Sequence, residues 1–198
     1  MKKIAAAEVK KLREKTGAGM LEARSALSEA DGDQERAEEI LRKKGRVKAG
    51  KRAEHLAREG RIDAYIHGEG RLGVLLEVNC ETDFVARNQE FKSLVHDLAL
   101  HIAASAPLCV SRDQVPKEVI DKEKEIYAEQ ARIEGKRGQI LEKIVNGRLE
   151  KFYQETCLLE QPFVKNPDIT VQELITGKIA VIGENIQVKR FTRYILGE

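Results

Sequence analysis

The chain contains no tryptophan, and its 198 residues include only five phenylalanines, four tyrosines, four prolines and three cysteines. Cys80, Cys109 and Cys157 are odd in number and widely spaced. The count argues against a disulfide framework and the spacing against a zinc cluster. A reducing, cytoplasmic setting fits such cysteine usage. No apolar run approaches the roughly 20 residues of a membrane span. The N-terminal lysines lead into no apolar signal core, so neither export nor membrane insertion is expected. Internal repeats and low-complexity tracts are missing as well.

Catalytic groups are equally thin. His55, His67, His96 and His101 are scattered. His96 and His101 sit roughly 140° apart around a helix, so they cannot share a metal as an i,i+4 pair would. His67 is expected on the outward face of a strand, and the other histidines at a surface or boundary. Cys80 has no local histidine to activate it as a nucleophile. No glycine-rich piece carries the Lys-Ser/Thr ending of a phosphate-cradling loop. Enzyme readings therefore rank last, and no catalytic residue, cofactor or metal is expected.

What the chain does have is charge, 34% of its residues, beside 41% hydrophobic residues. That balance describes a charge-rich globular protein with enough chain for a real core. Residues 1–60 carry 16 Lys/Arg against 11 Asp/Glu, and the remainder 19 against 22. The positive excess concentrates in residues 42–52, from Arg42 to Arg52. Such a run can hold nucleic acid through phosphates. The favoured alternative is a solvated, extended linker, because no aromatics interleave to stack bases; the stretch is also open to continuing as a helix to about Glu59.

Residues 4–45 read as three short helices. Val9 and Leu12 share a side of the first, which Thr16-Gly17-Ala18-Gly19 breaks. A second helix from about Met20 to Ala30 turns Ala23, Ala26, Leu27 and Ala30 inward. Asp33 is placed to cap the third, which shows Ala37, Ile40 and Leu41 and is expected to close at Gly45. Ile62, Ala64 and Ile66 alternate, Gly68-Glu69-Gly70 turns, and Leu72 to Val78 alternates again, a hairpin pattern. Phe91, Leu94, Val95, Leu98 and Ile102 then recur at helical spacing. A helix from Pro116 to about Glu134, a reversal at 135–138 and a further helix with Leu141, Ile144, Val145, Leu149 and Phe152 form a helical hairpin. Thr170 to Glu173 matches a capping box, and Ile186 to Leu196 is β-rich. The expected fold class is α+β: a three-helix bundle at 1–45, a basic linker at 46–60, and a core at 61–198. That core is a small three-stranded antiparallel sheet packed with helices, including the hairpin.

Between the second strand and the next helix lies Asn79-Cys80-Glu81-Thr82-Asp83-Phe84-Val85-Ala86-Arg87-Asn88. In a chain with few aromatics, an Asp-Phe pair inside a polar turn reads as a probe for a partner. The alternative is that Thr82 or Asp83 caps a helical turn and Phe84 folds back as a staple.

This stretch resembles the signature of the translation elongation factor Ts family, in its short, single-core bacterial form. Val9-Lys10-Lys11-Leu12-Arg13-Glu14-Lys15-Thr16-Gly17-Ala18-Gly19-Met20 is similar to the family's first signature. Leu158 to Val164, Ile182-Gly183-Glu184-Asn185-Ile186 and Val188-Lys189-Arg190-Phe191 resemble later segments in the family's order. The resemblance implies a guanine-nucleotide exchange factor for elongation factor Tu, and an N-terminal bundle of the ubiquitin-associated type. It implies that Asp83-Phe84 enters the GTPase near its magnesium site, with Thr82, Val85, Ala86, Arg87 and Asn88 shaping the turn. Lys10, Arg13, Met20 and Leu21 would grip a separate helix of the GTPase, although Met20 and Leu21 also suit a bundle core. Long members resemble a duplicated core, so a short form is open to working as a non-covalent homodimer through the terminal strand. Thr192 stands where some short relatives carry a dimer-linking cysteine. Two rivals remain, an RNA-binding translation factor using 42–52 and a binder of ubiquitin-like folds using only 1–45.

Overall fold

The structure, a computed structural model, describes residues 4–198. Among the described residues, eight α-helices and two small sheets make an α+β fold. Contacts group the described residues into two compact units, each assembled from three stretches of chain.

The first unit takes in residues up to Gly60, Asn79–Asn88 and Glu173–Gln187. It begins with α1 (Ala6–Thr16), α2 (Met20–Glu29) and α3 (Gln34–Arg52). Val9, Leu12, Ala23, Ala26, Leu27, Ala30 and Ala37 form its small core, with Ile4, Ile40 and Leu41 packed against it. The helix breaks lie where the sequence puts them. Gly17 takes the left-handed conformation (φ 70°) that ends α1, and its amide donates to the Arg13 carbonyl at 2.8 Å. Asp33 caps α3 by accepting from the Arg36 amide at 2.9 Å.

Gly45 does not end the third helix. The helix runs on to Arg52, so the basic run takes the helical alternative rather than the extended one and stops short of Glu59. Gly45 is buried, and a Cβ there would meet the Ala180 Cβ at 3.2 Å. The residue serves close helix packing, a role that looks identical to a stop signal in one dimension. Ala180 lies on α8 (Val171–Ile182), most of which belongs to this unit.

The second unit takes in Arg61–Val78, Gln89–Gln172 and Val188–Glu198. Its sheet has the order β1 (Glu59–His67), β2 (Leu72–Cys80) and β5 (Gln187–Ile195). β2 buries Val74, Leu76 and Val78 and exposes Leu75, the period-2 pattern of a one-sided sheet. In α5 (Gln89–Ser105) the expected stripe of Phe91, Leu94, Val95, Leu98 and Ile102 is buried. His101 is buried too, contrary to its expected boundary position. Its Nδ1 accepts from the Val164 amide at 3.2 Å, so Nε2 carries the proton and donates to Gln161 Oε1 at 3.0 Å. Burial holds this imidazole below its ordinary pKa against the weaker upward pull of Gln161.

The helical hairpin is α6 (Lys117–Ile133) and α7 (Gly138–Thr156). Arg148 secures its tip by donating to Gln130 at 2.7 Å and Glu134 at 2.9 Å. At its base, Leu108 donates to the Thr156 carbonyl at 2.8 Å and Leu158 to the Cys109 carbonyl at 2.9 Å. Arg112 forks onto Glu150 and Glu160 there and lies over the Tyr153 ring. A two-stranded sheet of β3 (Pro162–Phe163) and β4 (Asn166–Thr170) follows. The sequence reading missed it, because two residues are too few to show alternation.

Candidate functional site

Strand β2 ends at Cys80, and after Glu81 and Thr82 the chain enters α4 (Asp83–Arg87). Thr82 adopts φ −127° and ψ 155°, and its hydroxyl accepts from the Val85 amide at 3.4 Å, a helix N-cap. Asp83 faces Arg87 one turn on, with a 2.9 Å ion pair. Asn88 returns to extended geometry and separates α4 from α5. Phe84 does not fold back as a staple. Its ring is 80% exposed.

A helix of one turn has too few hydrogen bonds to stand alone in water. Here the turn is held from a distant part of the same unit. Glu184, just past α8, accepts through Oε2 from the Glu81 amide at 3.1 Å and the Thr82 amide at 3.0 Å. Its Oε1 accepts from the Thr82 hydroxyl at 2.6 Å. The contact is reciprocal, since Glu81 Oε1 accepts from the Asn185 amide at 2.7 Å. Glu81 Oε2 also meets His55 Nδ1 at 3.1 Å and Arg52 Nη1 at 3.3 Å. Asn185 is buried and donates through Nδ2 to the His55 carbonyl at 2.8 Å and the Ala53 carbonyl at 3.4 Å. Two crossed carboxylates thus join the Asp-Phe turn, the end of α8 and the chain just after α3.

Electrostatics agree with that geometry. Partial burial by itself would raise the Glu81 carboxyl, but the Asn185 amide, His55 and Arg52 together hold it below the usual range. Cys80 is fully buried and donates to the Thr82 carbonyl at 3.2 Å. Burial, with help from Glu184, pushes its thiol up to about 11, which leaves it inert as a nucleophile at neutral pH.

The second group of predicted residues lies on the bundle of the same unit. Lys10 and Arg13 are exposed on α1, and Lys10 reaches Glu14 at 3.8 Å. Met20 and Leu21 open α2 at 49% and 82% exposure, so neither is bundle core. An open recess of about 470 Å³ lies alongside, lined by Leu21, Arg24, Ser25, Ser28 and Glu29.

The basic run is partly compensated. Lys43, Lys44, Arg46, Lys48 and Arg52 each meet a carboxylate of this unit: Glu39, Glu29, Glu173, Glu22 and Glu81 respectively. Among the described residues no group of three or more His, Cys, Asp or Glu is placed to hold a metal ion. No described helix is long and apolar enough to cross a membrane.

Sequence reasoning singled out the turn and four residues of the bundle but gave no role to Glu81, Glu184, Asn185 or His55. Glu184 and Asn185 stood inside a recognised segment. Nothing local, however, connects them to a turn 102 residues earlier.

Residues 6–198 match the family model described as Elongation factor TS. The elongation factor Ts of Moorella thermoacetica is 62% identical over 195 residues, covering 98% of this chain and 96% of the relative. That of Acetivibrio thermocellus is 59% identical over 195 residues, covering 98% and 91%. That of Carboxydothermus hydrogenoformans is 60% identical over 190 residues, covering 96% and 88%. With matches of this length and closeness added to the motifs and the fold, the chain belongs to the elongation factor Ts family of translation elongation factors.

Proposed function

We propose that this chain is a guanine-nucleotide exchange factor for elongation factor Tu, acting in the cytoplasm and without catalytic chemistry of its own. Membership of the family supports the partner and the reaction. The observation that carries the mechanism is Phe84, a large rigid ring 80% exposed on a turn that is itself tightly held. A large rigid ring held out on a fixed turn gains stabilisation when a partner buries it. The bundle at 1–45 docks on the GTPase through Lys10, Arg13, Met20 and Leu21, and residues 46–60 join it to the core at 61–198. Phe84 then wedges into the GTPase near its magnesium site, and Asp83 contacts the displaced segments. Thr82, Val85, Ala86, Arg87 and Asn88 keep the turn in shape.

An exchange factor works by binding the empty GTPase better than the GDP form, and linkage makes that coupling reciprocal. The test is stopped-flow release of a fluorescent GDP analogue from elongation factor Tu. The wild type accelerates release, and Phe84→Ala loses about 10-fold or more of that acceleration, the scale of an interface hot spot. Failure of the folded wild type to accelerate release refutes the proposal. It would favour the RNA reading, whose signature is salt-sensitive binding lost on neutralising residues 42–52. The ion pairs along that run speak against RNA as the main partner.

A non-covalent homodimer is part of the same proposal. Ile62, Ile66, Leu75 and Tyr194 are 61%, 64%, 52% and 69% exposed on the three-stranded sheet. Ile66 lies over Gly73, where a Cβ would meet its Cδ1 at 3.3 Å, which aligns β1 and β2 on one side. A twofold contact would bury such a face against its own copy. Sedimentation of the wild type as a monomer at every concentration tried would remove this element.

A further inference from the structure

We infer that Glu184 is a positioning residue for nucleotide exchange, holding the Asp-Phe turn at a fixed attitude to the chain that leaves α3. The inference rests on the wedge reading of Phe84 and goes beyond it by assigning a role outside the turn. Three features carry it. First, α4 is a single turn, too short to persist unaided, and its internal support is local: the Ala86 and Asn88 amide bonds at 3.2 and 2.9 Å, a long N-cap bond of 3.4 Å and the Asp83–Arg87 ion pair. Second, one carboxylate takes both backbone amides leading into the turn and the Thr82 hydroxyl that forms the cap. Hydrogen bonds to a carboxylate are roughly twice as strong as those to a neutral acceptor, so these three bonds make Glu184 a main tether of the turn. Third, the crossed limb from Glu81 to Asn185 passes to His55, Arg52 and the carbonyl of Ala53, at the end of the last bundle helix. The end of the last bundle helix and the turn that carries Phe84 are therefore tied into one polar framework. Binding energy gained at α1 and α2 is delivered to a ring whose direction is already set, which is what preorganisation requires.

The alternative is that Glu184 merely ties down a loop. The two differ in what its loss does to binding and to the maximal rate. Glu184→Ala lowers the maximal GDP-release rate about 10-fold, while the half-saturating concentration moves less than about 2-fold because the docking surface is intact. Glu184→Gln keeps the shape and one carbonyl acceptor and recovers part of the rate. Because Glu184 acts through Phe84, the double variant Phe84→Ala/Glu184→Ala is no slower than Phe84→Ala alone, within about 2-fold. A second measurement needs no GTPase. The chain lacks tryptophan, so Phe84→Trp introduces a single indole at the tip of the turn. Its fast anisotropy decay is small in that variant and grows when Glu184→Ala is added.

An unchanged decay overturns the inference. So does a multiplicative loss in the double variant, or a wild-type rate in Glu184→Ala. No acceleration by the wild type refutes the exchange reading instead, and the indole decay still decides whether Glu184 holds the turn.

Discussion

His101 shows how one side chain makes stability depend on pH. Its Nδ1 is occupied by the Val164 amide and its Nε2–H by Gln161, so a second proton would set two N–H groups against each other. The folded protein lowers this pKa, and the unfolded chain binds the proton more readily. The stabilisation is thus complete above the unfolded value near 6.5 and is lost as pH falls through the folded value. Thermal midpoints measured from pH 8 to 5.5 should fall more steeply for the wild type than for His101→Gln. The expectation of a boundary histidine came from residue type alone. The spacing held a better signal, since His101 follows Leu94 and Leu98 at helical intervals and adjoins Ile102. Phe84 is the opposite case. No pattern in the sequence decides between a staple and a protruding ring, because that depends on whether the fold offers the ring a pocket.

Helices and strands were readable wherever their boundaries are made by local chemistry. Gly17 and Asp33 act through their own backbone or side chain within a few residues, and both behave as expected. Gly45 acts through a neighbour 135 positions along the chain, so its meaning was hidden. Its consequence is measurable. Gly45→Val places a branched side chain where a single Cβ already meets Ala180 at 3.2 Å. Overpacking of that kind costs about 1–3 kcal/mol. For a chain of this size each kcal/mol lowers the melting temperature by roughly 2–4 °C. A Gly45→Val protein melting at or above the wild type would show that α3 and α8 can separate freely. The candidate site divides the same way, for the turn announces itself while Glu184 is tied to it only by the tertiary fold.

Each compact unit is assembled from three stretches, and the chain passes between them at residues 60, 78, 88, 172 and 187. Neither unit can be completed from one contiguous segment, so urea unfolding should be a single transition, coincident by circular dichroism and tyrosine fluorescence. Two resolved transitions would show the units unfolding independently. The crossed carboxylates add a matter of timing. They join residues 102 to 104 positions apart, among the more distant pairings in the chain. Closing so long a loop costs entropy before any bond repays it, and non-local contacts form late. The bundle helices, stitched by short-range contacts, can be in place while the Asp-Phe turn is still unformed. In the order of folding, the surface that recognises a partner precedes the one that acts on it.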